Sequence, residues 1–231
     1  MTEFFRFPHT PHIDWLGKEP PRDDKVLAPN EARQLLAGEV LVEEKLDGAN
    51  LGISIGSDGQ ILAQNRGQYL LEPLSGQFSR LNSWFALHQW ALRDHLSPGW
   101  ILFGEWCAAK HSLDYNSLPD WFLVFDVYDR QQQRFFSSER RNQLASDLGL
   151  SCVPALLEGK TSLNELKQLL ATSQSRYRKG PPEGLIIRRQ NEDWCEQRAK
   201  LVRADFTQSI TKHWSSKTIE WNTLQTGKPS T

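Results

Sequence analysis

The chain has 231 residues, 39% of them hydrophobic and 24% charged, with a net charge of -1. That is long enough to bury a full core as one large or two small domains, and the balance of apolar and charged residues excludes a disordered polymer. A net charge so close to zero gives no global attraction to nucleic acid, so such a partner has to be held by a local basic patch.

Three cysteines, Cys107, Cys152 and Cys195, contain no CxxC pair, which argues against a disulfide framework and a cysteine zinc site. The start, Met-Thr-Glu-Phe-Phe-Arg, lacks the basic-then-apolar pattern of a secretory signal. No apolar run approaches the roughly 20 residues of a membrane span, so a cytoplasmic protein is expected.

In chain order, residues 7–17 mix prolines with aromatics and are expected to drape over the body as irregular chain. His9 and His12 lack a third His or a Cys at ligand spacing and read as surface or interface histidines. Asn30 is the expected cap of a short helix from Glu31 to Leu36 that Gly38 ends. Apolar runs at Val40–Val42, Leu51–Ile55 and Ile61–Ala63 predict strands, the last two joined across Ser57-Asp58-Gly59. Phe78, Leu81, Phe85, Leu87, His88, Ala91, Leu92 and His95 recur at helical spacing and stop before Pro98-Gly99. Two aromatic-rich strands follow, Trp100–Trp106 and Trp121–Tyr128.

A helix from about Ser138 to Leu148 ends at Gly149, and Ser162 with Glu165 forms a capping box for another. Gly184–Arg188 and Lys200–Arg203 predict the last strands, and the remainder predicts a terminal helix carrying Ile210, Trp214 and Trp221, with a frayed tail from Gly227. Strands first and interspersed helices later predict an α+β fold with an antiparallel sheet core. The expected organisation is an extension at 1–38 packed on the body, a main domain at 39–206, and a short helix and tail at 207–231.

Lys45 ends an apolar run and is followed at once by the turn signal Asp47-Gly48, an arrangement that aims a lysine amine at a ligand. A solvated hairpin lysine is the simpler reading of that tetrapeptide alone. Further charges stand on strand ends: Arg66, Glu105, Asp126, Glu183, Lys200 and Arg203. Such charges are expensive to bury unless they meet one another or a charged ligand.

In this order the residues resemble the covalent nucleotidyltransferase superfamily of ATP-dependent ligases and capping enzymes. Lys45-Leu46-Asp47-Gly48 is similar to its nucleophile motif and Asn65-Arg66-Gly67 to the short motif after it. Phe103-Gly104-Glu105, Phe125-Asp126, Glu183-Gly184-Leu185-Ile186-Ile187 and Lys200-Leu201-Val202-Arg203 resemble the later ones. Extension of the first motif to Asn50 resembles the RNA ligase branch, and Thr10-Pro11-His12 with Lys110-His111-Ser112 and Tyr115 resembles bacterial and phage RNA ligases.

The resemblance implies an antiparallel-sheet nucleotidyltransferase fold, an ATP-grasp-like ligase adenylation domain with flanking helices. It implies ATP and Mg2+ or Mn2+ as cofactors and RNA with 5′-phosphate and 3′-hydroxyl ends as the partner, joined through a lysyl-AMP and an adenylylated 5′ end in RNA repair or processing. Lys45 is then the nucleophile, its pKa lowered by Lys200, Arg203 and the metal. Glu183, with Asp47 through water, holds the metal. Glu105 accepts from ribose hydroxyls, Phe125 stacks on the purine, and Arg66, Lys200 and Arg203 grip phosphates. Glu43 or Glu44 reads an exocyclic amine, and Asn50 marks the RNA branch. Asp47 and Asp126 have an equally simple reading as residues that orient a neighbour or cap a turn.

Two departures stand out. Arg203 replaces the second lysine of the last motif and cannot donate a proton at neutral pH. The 28 residues after Arg203 are too few for a five-stranded oligonucleotide-binding (OB-fold) barrel, which leaves room for a protein partner in its place. Eight basic residues (Arg176, Arg178, Lys179, Arg188, Arg189, Arg198, Lys200 and Arg203) are the candidate RNA patch. The rival readings are a DNA ligase, a capping-type guanylyltransferase, and a non-catalytic nucleotide- or RNA-binding module on the same fold.

Overall fold

The computed structural model describes residues 4–18, 25–209 and 218–225. Ten strands lie along one continuous sheet: β1 Val40–Lys45, β2 Ala49–Ile55, β3 Ile61–Gln64, β4 Trp100–Trp106, β5 Phe122–Asp129, β6 Arg134–Phe136, β7 Ser151–Cys152, β8 Ala155–Gly159, β9 Gly184–Gln190 and β10 Trp194–Val202. Their order is β3-β2-β4-β5-β6-β10-β9-β1-β8, with β7 alongside β5. Apart from that parallel β5/β7 pair, the paired strands are antiparallel. The helices are α1 Pro29–Leu35, α2 Leu81–His95, α3 Ser138–Asp147, α4 Leu163–Thr172 and α5 Ala204–Ser209. The expected α+β class with an antiparallel sheet is what the chain adopts.

The sheet must fold on itself, because β1 and β2 are consecutive in the chain yet six strand positions apart in the pairing order. Four residues from Lys45 to Ala49 span at most about 14 Å, whereas six strand spacings in a flat sheet are about 29 Å. The two halves are therefore brought face to face, and Leu46-Asp47-Gly48 is the chain that crosses between them.

Strand alternation then sorts the side chains. On β1, β9 and β10, Val40, Val42, Leu185, Ile187, Ala199 and Leu201 form a core with α1 and α4. On β2, β4 and β5, Leu51, Ile53, Leu102, Trp106 and Val124 form a second core with α2 and α3. Residues of opposite parity, among them Glu43, Lys45, Arg188, Arg198, Lys200 and Glu105, are left facing between the halves. The N-terminal arm fills part of that space: Phe5 stacks on Tyr128 at 3.7 Å, and Phe7 is buried against Phe103.

Several expectations shift. Helix α1 starts after Ala28, with Pro29 in its first turn, rather than after Asn30. On α2 the buried residues are Leu81, Trp84 and Leu92, while Leu87, expected on the apolar face, is 79% exposed. The capping box of Ser162 and Glu165 starts α4 as read. Strands β6, β7 and β8, which are short or lack a strong apolar run, were not foreseen. Ile210 and Trp214 lie outside the described residues. Trp221, expected on a terminal helix, instead makes an antiparallel bridge with Ala109. No described helix is long and apolar enough to cross a membrane.

Candidate active site

A cavity of about 360 Å³ opens between the two halves of the sheet, within the range of small-ligand pockets. It is lined by Glu43, Glu44 and Lys45 of β1, Asn50 of β2, Glu105 of β4, Phe125 and Asp126 of β5, Ile186 and Arg188 of β9, and Arg198 and Lys200 of β10. Arg66, Leu46, Gly48, Val153, Phe7 and Thr10 complete it. Residues up to 193 positions apart in sequence, Phe7 and Lys200, thus meet on one surface.

Lys45 ends β1 opposite Gly184, and its Nζ donates to Glu183 Oε2 at 2.8 Å. The next residue, Leu46, is buried with Cys107, Tyr115, Leu118 and Leu123, so the chain on the far side of the lysine is anchored. Burial pulls the Lys45 amine down, but Glu183, Glu105 and Asp47 together hold its pKa above the usual lysine value. The expected lowering by Lys200, Arg203 and a metal is not what the protein's own groups produce: those acting on the amine are carboxylates, and Arg203 is engaged by Asp205. Glu105 Oε1 accepts from the Gly48 N–H at 2.9 Å. A Cβ on Gly48 would lie 2.7 Å from the Trp106 carbonyl oxygen, which is why glycine is needed for this approach. Burial pushes Glu105 and Glu183 each up to about 7.

Opposite, a β-bulge falls in the β4/β5 pairing, where Phe103 meets Asp126 and Gly104 meets Val124. The unpaired residue is Phe125, and the bulge lets the adjacent Phe125 and Asp126 both reach the cavity. Asp126 bonds Arg188 Nη1 at 2.8 Å and also pairs with Arg198. Arg188 Nε donates to Glu43 Oε2 at 2.6 Å. Arg141 Nη2 approaches Glu43 Oε1 at 2.6 Å, without the alignment of a hydrogen bond. Both Arg141 and Arg188 donate to the Phe125 carbonyl. This buried network sets the backbone beneath the Phe125 ring.

The expectations for Glu43 and Glu44 change accordingly. Glu43 is 1% exposed and committed to two guanidiniums, so it is a counter-ion rather than a reader of an amine. Alternation turns Glu44 away from Glu43 and Lys45, and its carboxylate accepts from Ser175 Oγ and the Arg176 N–H. Asp126 is likewise a counter-ion. Asp47 does not line the cavity; its Oδ2 accepts from the Ser112 and Leu113 N–H groups at 2.7 Å each. Arg203 also lies off the lining, its guanidinium forked onto Asp205 at 3.0 and 2.8 Å.

Among the described residues no three His, Cys, Asp or Glu side chains are grouped to hold a metal ion. Glu183 and Glu105, flanking Lys45, are hard oxygen donors, and one or two carboxylates with water and phosphate are what Mg2+ takes. Asn50 Oδ1 is buried without a hydrogen-bond partner. Arg66 is exposed at the rim, its turn set by Asn65 Oδ1 accepting from Gly67 and Gln68.

The eight basic residues do not form one surface patch. Arg188 is 1% exposed inside the ion network, Arg178 bonds Pro181 and Asp114, and Arg189 bonds the Gln34 carbonyl. Sequence reading missed Arg141, although its position three and four residues before Leu144 and Ala145 places a charge on the apolar face of α3, a detectable anomaly. It also missed Phe7 and Thr10 on the cavity wall.

The folded antiparallel sheet thus brings a lysine, carboxylates, an aromatic ring and cations onto the wall of one cavity. Residues 38–202 match the family model for RNA ligase, and the chain belongs to that family. None of the curated proteins compared matches it. Among solved structures it is similar to the Naegleria gruberi RNA ligase with PPi, at 21% identity and a TM-score of 0.59, over 90% of this chain and 64% of that one. It is also similar to one variant of that ligase with ATP and Mn, at 19% identity and a TM-score of 0.55, over 78% of this chain and 54% of that one. At such identities the likeness establishes the fold. The chain covers 54% to 64% of the length of these two ligase chains.

Proposed function

We propose that this chain is an ATP-dependent RNA ligase that joins a 5′-phosphate to a 3′-hydroxyl through a lysyl-AMP, in RNA repair or processing. The observation that carries this reading is the position of Lys45: on the wall of the cavity, between Glu183 and Glu105, with Phe125 and Lys200 on the same surface.

In the first step the neutral Lys45 amine attacks the α-phosphorus of ATP. A phosphorus–nitrogen bond forms, the bond to the β-phosphate oxygen breaks, pyrophosphate leaves and the amine loses its proton. An RNA 5′-phosphate then takes the AMP from Lys45, and a 3′-hydroxyl displaces AMP to form the phosphodiester. Phe125 stacks on the base, and Arg66 and Lys200 hold phosphate oxygens. Glu105 accepts from the ribose, and the unpartnered Asn50 Oδ1 supplies a further polar contact. Glu183 would hold Mg2+ or Mn2+, which when bound neutralises phosphate charge and favours the unprotonated amine, while Asp47, its carboxylate taken by the Ser112 and Leu113 N–H groups, anchors the turn after Lys45. Glu183 Oε2 also accepts from the Lys45 Nζ at 2.8 Å, which holds the amine beside the carboxylate.

The test is incubation with a divalent metal and ATP labelled at the α-phosphate, followed by denaturation and, in a second tube, by a chase with nicked duplexes. Label should stay on the protein through an acid-labile bond and chase into product faster when the 3′-hydroxyl side is ribose, since the 2′-hydroxyl distinguishes RNA from DNA. Reversible ATP binding without covalent label would favour a binding module, and equal or faster sealing of the all-DNA nick would overturn the RNA assignment.

A further inference from the structure

Residues 218–225 return from the end of the chain to the nucleophile turn. Most of this segment is exposed, yet Asn222 in its middle is 4% exposed and every polar group of its side chain is paired. Its Oδ1 accepts from the Tyr115 N–H at 2.8 Å, and its Nδ2 donates to the carbonyls of Cys107 at 2.8 Å and Ala109 at 3.3 Å. Backbone bonds on both sides continue the contact: Asn222 N–H to the Ala108 carbonyl, Thr223 N–H to that of Tyr115, and Gln225 N–H to that of Leu118. One amide thus ties together both ends of the loop from Cys107 to Tyr115.

That loop is what holds the turn after Lys45. The Tyr115 hydroxyl accepts from the Asp47 N–H at 2.8 Å, the Ser112 and Leu113 N–H groups donate to the Asp47 carboxylate, and Leu46 is buried against Tyr115 and Cys107. Lys45 itself is one residue away from this grip. A backbone ladder alone would hold an exposed segment in place. A buried amide with three bonds into the loop does more, because its loss leaves the Tyr115 N–H and two carbonyls unpaired in the interior.

We propose that the 218–225 segment is a strap that sets the aim of Lys45, with Asn222 as a positioning residue acting through Tyr115 and Asp47. The proposal rests on the reading of Lys45 as the nucleophile. A misplacement on the order of 1 Å transmitted to a reacting atom can cost about 100-fold in rate, whereas the nucleotide's contacts with Phe125, Arg66 and Lys200 lie on other elements. The strap therefore governs the rate of the covalent step rather than the binding of ATP.

The test is single-turnover formation of lysyl-AMP by the full chain as a function of ATP concentration, for the wild type, Asn222→Ala and Tyr115→Phe. Both variants should lose maximal rate, by roughly 10- to 100-fold for Asn222→Ala, with little change in the ATP concentration giving half-maximal rate. Tyr115→Phe removes one hydroxyl without touching the strap and keeps the question answerable if Asn222→Ala fails to fold. Wild-type maximal rates in folded variants with a lowered melting temperature would make the strap a structural staple and overturn the proposal. Absence of label on the wild type would instead overturn the ligase reading and this proposal with it.

Discussion

Lys45 and Glu183, 138 residues apart in the chain, meet at 2.8 Å where β1 ends opposite the start of β9. The pair gives Glu183 two opposed influences on the reaction. It holds the amine of Lys45, the proposed nucleophile, in its ammonium form, and it is the carboxylate proposed to hold the metal. If the second dominates, Glu183→Ala slows lysyl-AMP formation by at least about 10-fold and extra Mg2+ does not restore it. Single-turnover labelling at several metal concentrations checks this. An unchanged or faster rate would leave Glu183 with a restraining role only.

Arg188 is the centre of the buried ion network. Replacing it with Met leaves Glu43 and Asp126 without their main counter-charge in the interior, a change that costs on the order of 3–5 kcal/mol. Urea unfolding should show a correspondingly lower midpoint. Because Arg188 also donates to the Phe125 carbonyl, ATP affinity should weaken in the folded fraction, measured by titration.

Glu105 gives a pH prediction. Its carboxyl is pushed up to about 7 in the fold from an ordinary 4.5, chiefly by burial. Between those values the folded chain binds a proton that the unfolded chain does not, so this group's contribution to stability falls as pH rises toward 7 and stays low above it. Glu105→Gln imitates the protonated acid and still accepts from Gly48. Its stability relative to the wild type should therefore increase from about pH 5 to about pH 8, by on the order of 1–3 kcal/mol. Paired melting curves across that range check the sign, and a difference that does not change with pH would contradict it.

Gly184 pairs with Val202 of β10 and follows Glu183 directly. An added Cβ would lie 2.5 Å from the Leu201 carbonyl oxygen, and backbone cannot move aside as a side-chain end can. Gly184→Ala should destabilise the fold by roughly 1–3 kcal/mol and, by shifting Glu183 and Lys45, reduce labelling. Gly38→Ala, with nothing within 4 Å of the new atom, should leave the melting temperature nearly unchanged.

What was legible in the sequence follows from local physics. Apolar runs and capping signals located β1, β2, β4, β5, α3 and α4, because periodicity and end chemistry act over a few residues. The ordered charges on strand ends brought Lys45, Glu105 and Lys200 to notice, and the fold places all three on one cavity. What was not legible depended on distance and pairing. Nothing near Glu43 announces that Arg188 and Arg141 occupy its carboxylate. Asp47 reads as a metal ligand until the Ser112–Leu113 loop is seen to hold it, and Arg203 reads as a phosphate clamp until Asp205 is found two residues on, forked onto it. Asn222 in its polar tail carries no local signal, since its burial depends on a loop more than 100 residues earlier.

Lys45 is the residue proposed to form the covalent bond to AMP. After reaction with ATP and a divalent metal, the protein should be digested under conditions that preserve a phosphoramidate and its peptides fragmented by mass spectrometry. One AMP adduct is expected, on the side chain of Lys45, lost entirely in Lys45→Ala and retained in Lys167→Ala, whose lysine pairs with Asp14 away from the cavity. An adduct on any other residue, or labelling of the Lys45→Ala protein equal to the wild type, would contradict it.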